Sequence, residues 1–83
     1  MRYQIIIPKK VQKDIAKIDG RYKQRILSAL AVLSDSPHIG KKLVGEYASL
    51  RSYEVWPYRI IYEIYERNLL INIIRVGHRQ GVY

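Results

Sequence analysis

Arg59 lies inside an apolar run, Tyr58-Arg59-Ile60-Ile61-Tyr62-Glu63-Ile64. A charge in such a run needs a reason, because an unpaired charge is costly to bury. On a period of two it shares a face with Ile61 and Glu63. The plain reading is a solvated sheet face or a salt bridge to a neighbouring Glu; the functional one is a phosphate clamp in a sheet groove. Arg75, His78 and Arg79 follow at the end of the next apolar run. His78 has the chemistry of a general acid or base, or is simply a solvated tail residue. Arg51 and Glu54 lie in the strand before Trp56-Pro57, and the plain reading of each is a surface strand residue. Tyr83 closes the chain, as a frayed terminus or as a ring able to stack on a base. Every basic residue after position 50 is Arg, whose planar fork suits phosphate better than Lys does.

Other chemistries have little support. There is no Cys, which excludes disulfides, thiolate metal sites and Cys nucleophiles. The two His, His38 and His78, form no ligand-spaced pair, so neither a metal nor any other cofactor is expected. No nucleophile elbow surrounds a Ser. Val76-Gly77-His78-Arg79-Gln80-Gly81 has two Gly but opens no helix, so it is not a phosphate-binding glycine loop.

The 83 residues make one domain, spanning 1–83, and 48% are apolar. The net charge is +8, which favours nucleic acid, an acidic membrane face or an acidic protein. Residues 1–25 are the most basic part, with eight basic and two acidic side chains. No apolar run approaches the roughly 18 residues of a membrane span. The apolar stretch at the start is too short for a signal peptide, so a cytoplasmic location without a membrane partner is expected.

Residues 2–7 read as a strand, which Pro8 ends while opening a helix. Val11, Ile15 and Ile18 give a helical stripe, with Lys9, Lys10, Lys13 and Lys17 on the other face. That basic face is a solvated surface or an electrostatic footprint for nucleic acid. At Asp19-Gly20 one helix stops and the next starts: Gly20 suits a left-handed cap and Asp19 an N-cap. From Tyr22 a longer helix runs to Ser34-Asp35-Ser36-Pro37, and the pair forms an αα-hairpin. Residues 37–49 read as a loop. Leu50 to Val55, Tyr58 to Tyr65 and Leu69 to Val76 read as strands, the last two central because both their faces are apolar. The expected fold is α+β, β-α-α-β-β-β, an antiparallel sheet with the αα-hairpin packed on one face.

This order, with Lys42-Leu43-Val44-Gly45, Leu50, the Tyr58-Arg59 strand, Ile74-Arg75-Val76-Gly77-His78-Arg79 and the late Val82-Tyr83, resembles the RelE/ParE toxin superfamily over essentially the whole chain. The resemblance implies a toxin of a type II toxin–antitoxin system. RelE-type members cut mRNA on the ribosome, and several ParE-type members inhibit DNA gyrase. It implies that Arg59 contacts the scissile phosphate, that Arg79 serves the same site and that Tyr83 stacks on a base, which favours the RelE-type activity. Glu54 and His78 complete the catalytic candidates, with Lys42, Arg51 and Arg75 as RNA contacts. The implied partners are an acidic antitoxin, the ribosome and mRNA. The strand before Tyr58-Arg59 departs from the RelE pattern: Glu54 stands where many relatives are basic, and Val55-Trp56-Pro57 is similar to some ParE-like sequences. A gyrase inhibitor and a non-catalytic nucleic-acid or antitoxin-binding module are the alternatives.

Overall fold

The computed structural model describes residues 2–78. Strand β1 (Gln4–Ile6) leads into helices α1 (Lys9–Ala16) and α2 (Gly20–Asp35). Strands β2 (Lys41–Lys42), β3 (Leu50–Val55), β4 (Tyr58–Tyr65) and β5 (Leu70–His78) follow. Single 3-10 turns occupy Pro37–Ile39, Gly45–Tyr47 and Glu66–Asn68. The α+β fold class and the helix hairpin are as the sequence predicts.

Local chemistry explains most boundaries. The Asp19 carboxylate accepts a hydrogen bond from the Arg21 amide at 3.0 Å, capping α2. The helix therefore begins at Gly20, two residues before Tyr22, and Gly20 takes a helical rather than a left-handed conformation. Pro8 is extended and precedes α1 instead of opening it. Leu69 adopts the left-handed conformation (φ 53°), so it ends the turn after β4 and β5 starts one residue later than expected.

The sheet order is β1-β5-β4-β3-β2, with β5, β4 and β3 inside and β1 and β2 at the edges. β1 pairs with β5 in parallel while the other pairs are antiparallel, so the sheet is mixed. The hairpin connection causes this: α1 and α2 carry the chain over one face before it enters β2, leaving β1 beside the last strand. α1 packs on β5, and α2 on β1 and β3. The helices bury Val11, Ile15, Ile26, Ala29, Leu30 and Leu33 against Ile60, Tyr62, Ile71, Ile73 and Val76. Each such large apolar side chain contributes about 1.5–3 kcal/mol of transfer free energy. One helix face and one sheet face are thereby used up, and the opposite sheet face carries no helix.

A β-bulge in β5 decides what that second face displays. Ile61 pairs with Arg75 and Tyr62 with Ile73, so Ile74 is an extra residue without a partner. Ile71, Ile73 and Val76 all reach the core in consequence, while Arg75 and Gly77 fall on the open face. Strict alternation from Ile73 would have turned Arg75 inward.

The stretch 37–49, expected as loop, includes a two-residue strand. It is held from the core. The buried Tyr62 hydroxyl donates to the Pro37 carbonyl at 2.7 Å and accepts from the Gly40 amide at 3.0 Å. A side chain at Gly40 would collide with the Tyr62 hydroxyl, so only glycine permits this approach. Arg51 donates from Nη1 to the carbonyls of Gly40 at 2.9 Å and His38 at 3.3 Å.

Candidate functional site

Cross-strand register builds the open face in rows, since directly opposed residues share a side. One row is Glu54, Arg59 and Gly77 on β3, β4 and β5. The next is Lys41, Ser52, Ile61 and Arg75 on β2 to β5. With strands about 4.8 Å apart and about 3.4 Å of rise per residue, the Cα atoms of Arg59 and Arg75 are about 8 Å apart. Gly77, beside Arg59, has no side chain to crowd the guanidinium. Ile61 is only 3% exposed and lies outside the helix-side core, giving this face an apolar floor.

A groove of about 370 Å³ opens at this place, lined by Lys41, Ser52, Glu54 and Arg59 together with Ile39, Leu43 and Tyr53. Lys41, Arg59 and Arg75 form no ion pair with any described residue. The described ion pairs lie elsewhere: Arg2 with Asp35, Arg21 with Asp19 and His38 with Glu66. Three cations thus lie on one sheet face without an ion-pair partner among the described residues, and a carboxylate stands in the row of Arg59. Such a face can accept a phosphodiester and offer a proton acceptor beside it.

The other nominated residues fall differently. Arg51 and Lys42 oppose one another and lie on the helix side, where Arg51 holds the 38–40 carbonyls. His78 pairs with Tyr58, also on the helix side. Its ring meets the Tyr58 ring edge-on at 6.0 Å, and Tyr58 in turn meets Tyr22 at 5.7 Å. The structure therefore does not bring Lys42, Arg51 or His78 together with Arg59. The physical reason is alternation in β2 and β3, and the bulge in β5. Arg79 and Tyr83 lie outside the described residues. Lys41 and Ser52 line the groove and Gly77 stands in the Arg59 row, and sequence reasoning missed all three. A two-residue strand has no periodic signature, so nothing in the sequence selects Lys41 over Lys42.

Burial raises the Tyr62 hydroxyl pKa above its ordinary 10.0, against the lowering effect of the Gly40 amide and Arg51. It remains a neutral anchor for the 37–40 turn. Among the described residues no three His, Cys, Asp or Glu side chains gather as a metal site would require. No helix among them is long and apolar enough to cross a membrane.

A family model for the ParE toxin of type II toxin–antitoxin systems (parDE) matches residues 5–83. The chain belongs to this family. The ParE toxins fall within the RelE/ParE superfamily, and the protein is a toxin of a type II toxin–antitoxin system. Solved RelE/ParE structures share its architecture. A chain of the RelBE2 toxin–antitoxin complex from Mycobacterium tuberculosis matches with a TM-score of 0.87 and 28% identity, covering 95% of this chain and 100% of that one. A double mutant of the E. coli toxin RelE in the free state matches with a TM-score of 0.81 and 17% identity, over 98% and 87% of the two chains. The YoeB/ParE toxin from Agrobacterium tumefaciens gives 0.79 and 15%, over 92% and 95%. No curated protein matches the chain in sequence. In this RelE/ParE toxin the Tyr58-Arg59 strand is central and its Arg faces away from the helices.

Proposed function

We propose that the protein is a ribosome-dependent mRNA endonuclease that cuts by metal-independent attack of the RNA's own 2′-OH. The observation that carries this reading is Arg59: a guanidinium at the second position of an interior strand, on the face opposite the helices, across from a carboxylate and without an ion pair to a described residue. The 2′-oxygen attacks the adjacent phosphorus, the bond to the 5′-oxygen breaks, and a 2′,3′-cyclic phosphate and a 5′-hydroxyl result. Glu54 takes the 2′-OH proton. Arg59 and Arg75 stabilise the extra negative charge of the phosphorane, a task in which one contact is worth about 10²–10³-fold. Arg79 adds to that charge stabilisation. Tyr83 stacks on a base and donates a proton to the leaving oxygen. The ribosome holds the mRNA in line for attack. His78, on the other face, has no part in these steps.

The partner that silences this activity is an acidic antitoxin, since a +8 surface gains from a negative one in encounter rate and register. The solved relatives include complexes of RelE with RelB antitoxins. Both partners act in the cytoplasm, where the ribosomes are. A gyrase inhibitor is the second reading, favoured by the ParE identity of the matching family model. Mapping mRNA 5′ ends after brief induction separates the two. Codon-phased cuts, absent with Arg59→Ala, are the expected result; a DNA-damage response with intact mRNA would replace this reading with the gyrase one.

A further inference from the structure

Lys41 is an exposed lysine, one of 15 basic residues, and nothing in its sequence surroundings distinguishes it from Lys42. The fold separates them. Lys41 pairs with Ser52 on the Arg59 face, and Lys42 pairs with Arg51 on the helix side. Lys41 lines the groove that holds Arg59, Ser52 and Glu54, and Lys42 does not. Two strand spacings across and one row along put the Cα atoms of Lys41 and Arg59 about 12 Å apart. Side chains reaching from both sides of that gap leave room for a sugar–phosphate chain between them.

The segment that delivers Lys41, a 3-10 turn followed by a two-residue strand, is held by several hydrogen bonds. Tyr62 spends its buried hydroxyl on Pro37 and Gly40. Arg51 spends its guanidinium on His38 and Gly40. The Leu43 amide donates to the Leu50 carbonyl at 3.1 Å. Lys41 therefore sits between two anchored points, at Gly40 and Leu43. The anchors use core and strand residues to set one two-residue strand against the sheet edge. Its ammonium has no ion-pair partner among the described residues.

We infer that Lys41 is a phosphate-binding residue of the Arg59 groove, contacting a phosphate that flanks the scissile one. This rests on the endonuclease reading of the site. Arg59 supplies the planar fork at the reacting phosphate, and Lys41 supplies a mobile point charge that holds the neighbouring backbone in the groove. Ile39 and Leu43, which also line the groove, give the adjoining nucleoside an apolar surface to lie on.

The test uses the full chain and a short single-stranded 2′-O-methyl RNA, which binds without being cut. Affinity is measured across a salt series for wild type, Lys41→Gln, Lys42→Gln and Lys41→Arg. Each phosphate contact on a single strand contributes about 0.7 to the slope of log K against log salt. Lys41→Gln is expected to lower the slope by about that amount, with Lys42→Gln and Lys41→Arg at the wild-type value. Equal slopes for Lys41→Gln and Lys42→Gln would overturn the inference, as would salt-independent binding by the wild type. Codon-phased cutting on ribosomes, measured in parallel, keeps the two claims apart. A slope change without cutting refutes the endonuclease and leaves a phosphate contact. Cutting without a slope change refutes Lys41 alone.

Discussion

Arg59 faces Glu54 directly across the β3–β4 hairpin, one position from the closing Val55–Tyr58 pair, yet no ion pair joins the two. Opposed charges at this register normally meet, because directly opposite strand residues have Cβ atoms about 5 Å apart. Here the guanidinium stays available on the open face. In the proposed chemistry the two act side by side, Glu54 as proton acceptor and Arg59 as the cation that stabilises developing negative charge.

Replacing Arg59 with Ala should lower mRNA cleavage by about 10²–10³-fold, the usual effect of losing one contact to a developing charge. Stability should change little, since Arg59 has no ion pair with a described residue. Cleavage on programmed ribosomes together with a urea melt checks both halves. A folded variant that cuts at the wild-type rate would remove Arg59 from the chemistry.

Glu54→Gln keeps the size and polarity of the side chain and removes the proton acceptor. A drop of about 10²–10⁴-fold in the single-turnover rate is expected for a lost general base. An unchanged rate would assign proton removal to another group, with Glu54 serving only to balance the neighbouring cations.

Tyr62→Phe deletes one hydroxyl and leaves the buried Gly40 amide and Pro37 carbonyl without it. The expected cost is about 1–3 kcal/mol, read from the shift of a denaturation midpoint. The same variant should alter alkaline behaviour. Burial raises the folded-state pKa of Tyr62 above the ordinary 10.0, so the fold favours the neutral phenol. That contribution is complete below pH 10.0 and is lost as pH rises through the folded value. Wild type should therefore lose stability on the alkaline side more steeply than Tyr62→Phe. Tyr3 and Tyr65 are also raised, by hydrogen bonds to Glu66 and Glu63, but both variants keep them, so the difference isolates Tyr62.

Removal of Gly81 to Tyr83 should weaken cleavage more than it weakens the fold. A stacking ring is worth about 1–3 kcal/mol per base. Parallel cleavage and thermal melts of full-length and shortened chains decide it, and equal cleavage would place Tyr83 among ordinary terminal residues.

The central strands were legible because their chemistry is local and repetitive. Leu50 to Val55 and Tyr58 to Tyr65 begin and end where the apolar runs do. Arg59 stood out for the same reason, as a cation set between Tyr58 and Ile60 in a largely apolar run. Asp19 announced its helix through an ordinary capping preference. What stayed hidden depends on distant partners. Lys41 is chosen over Lys42 by Ser52 and by the Tyr62 and Arg51 anchors, which lie between 10 and 21 residues along the chain. His78 and Arg75 exchange faces relative to simple alternation because of one unpaired Ile, and an Ile73-Ile74 doublet followed by Val76 was the only trace of it in the sequence.

That unpaired Ile also separates shape from composition. A bulged strand bends and twists more tightly at the extra residue, so the end of the sheet bearing Arg59 and Gly77 is curled relative to the end bearing Leu70. Deleting Ile74, whose side chain is 40% exposed, would leave Arg75 and Gly77 on the open face and Ile73 and Val76 inside. The ladder would simply become regular and flatter. Every groove-forming side chain would be kept, and only curvature would be lost. A binding groove ordinarily cannot be altered in form without altering its parts; here a single deletion does so, and on the endonuclease reading the cleavage that survives it measures how far the proposed RNA contact depends on that bend.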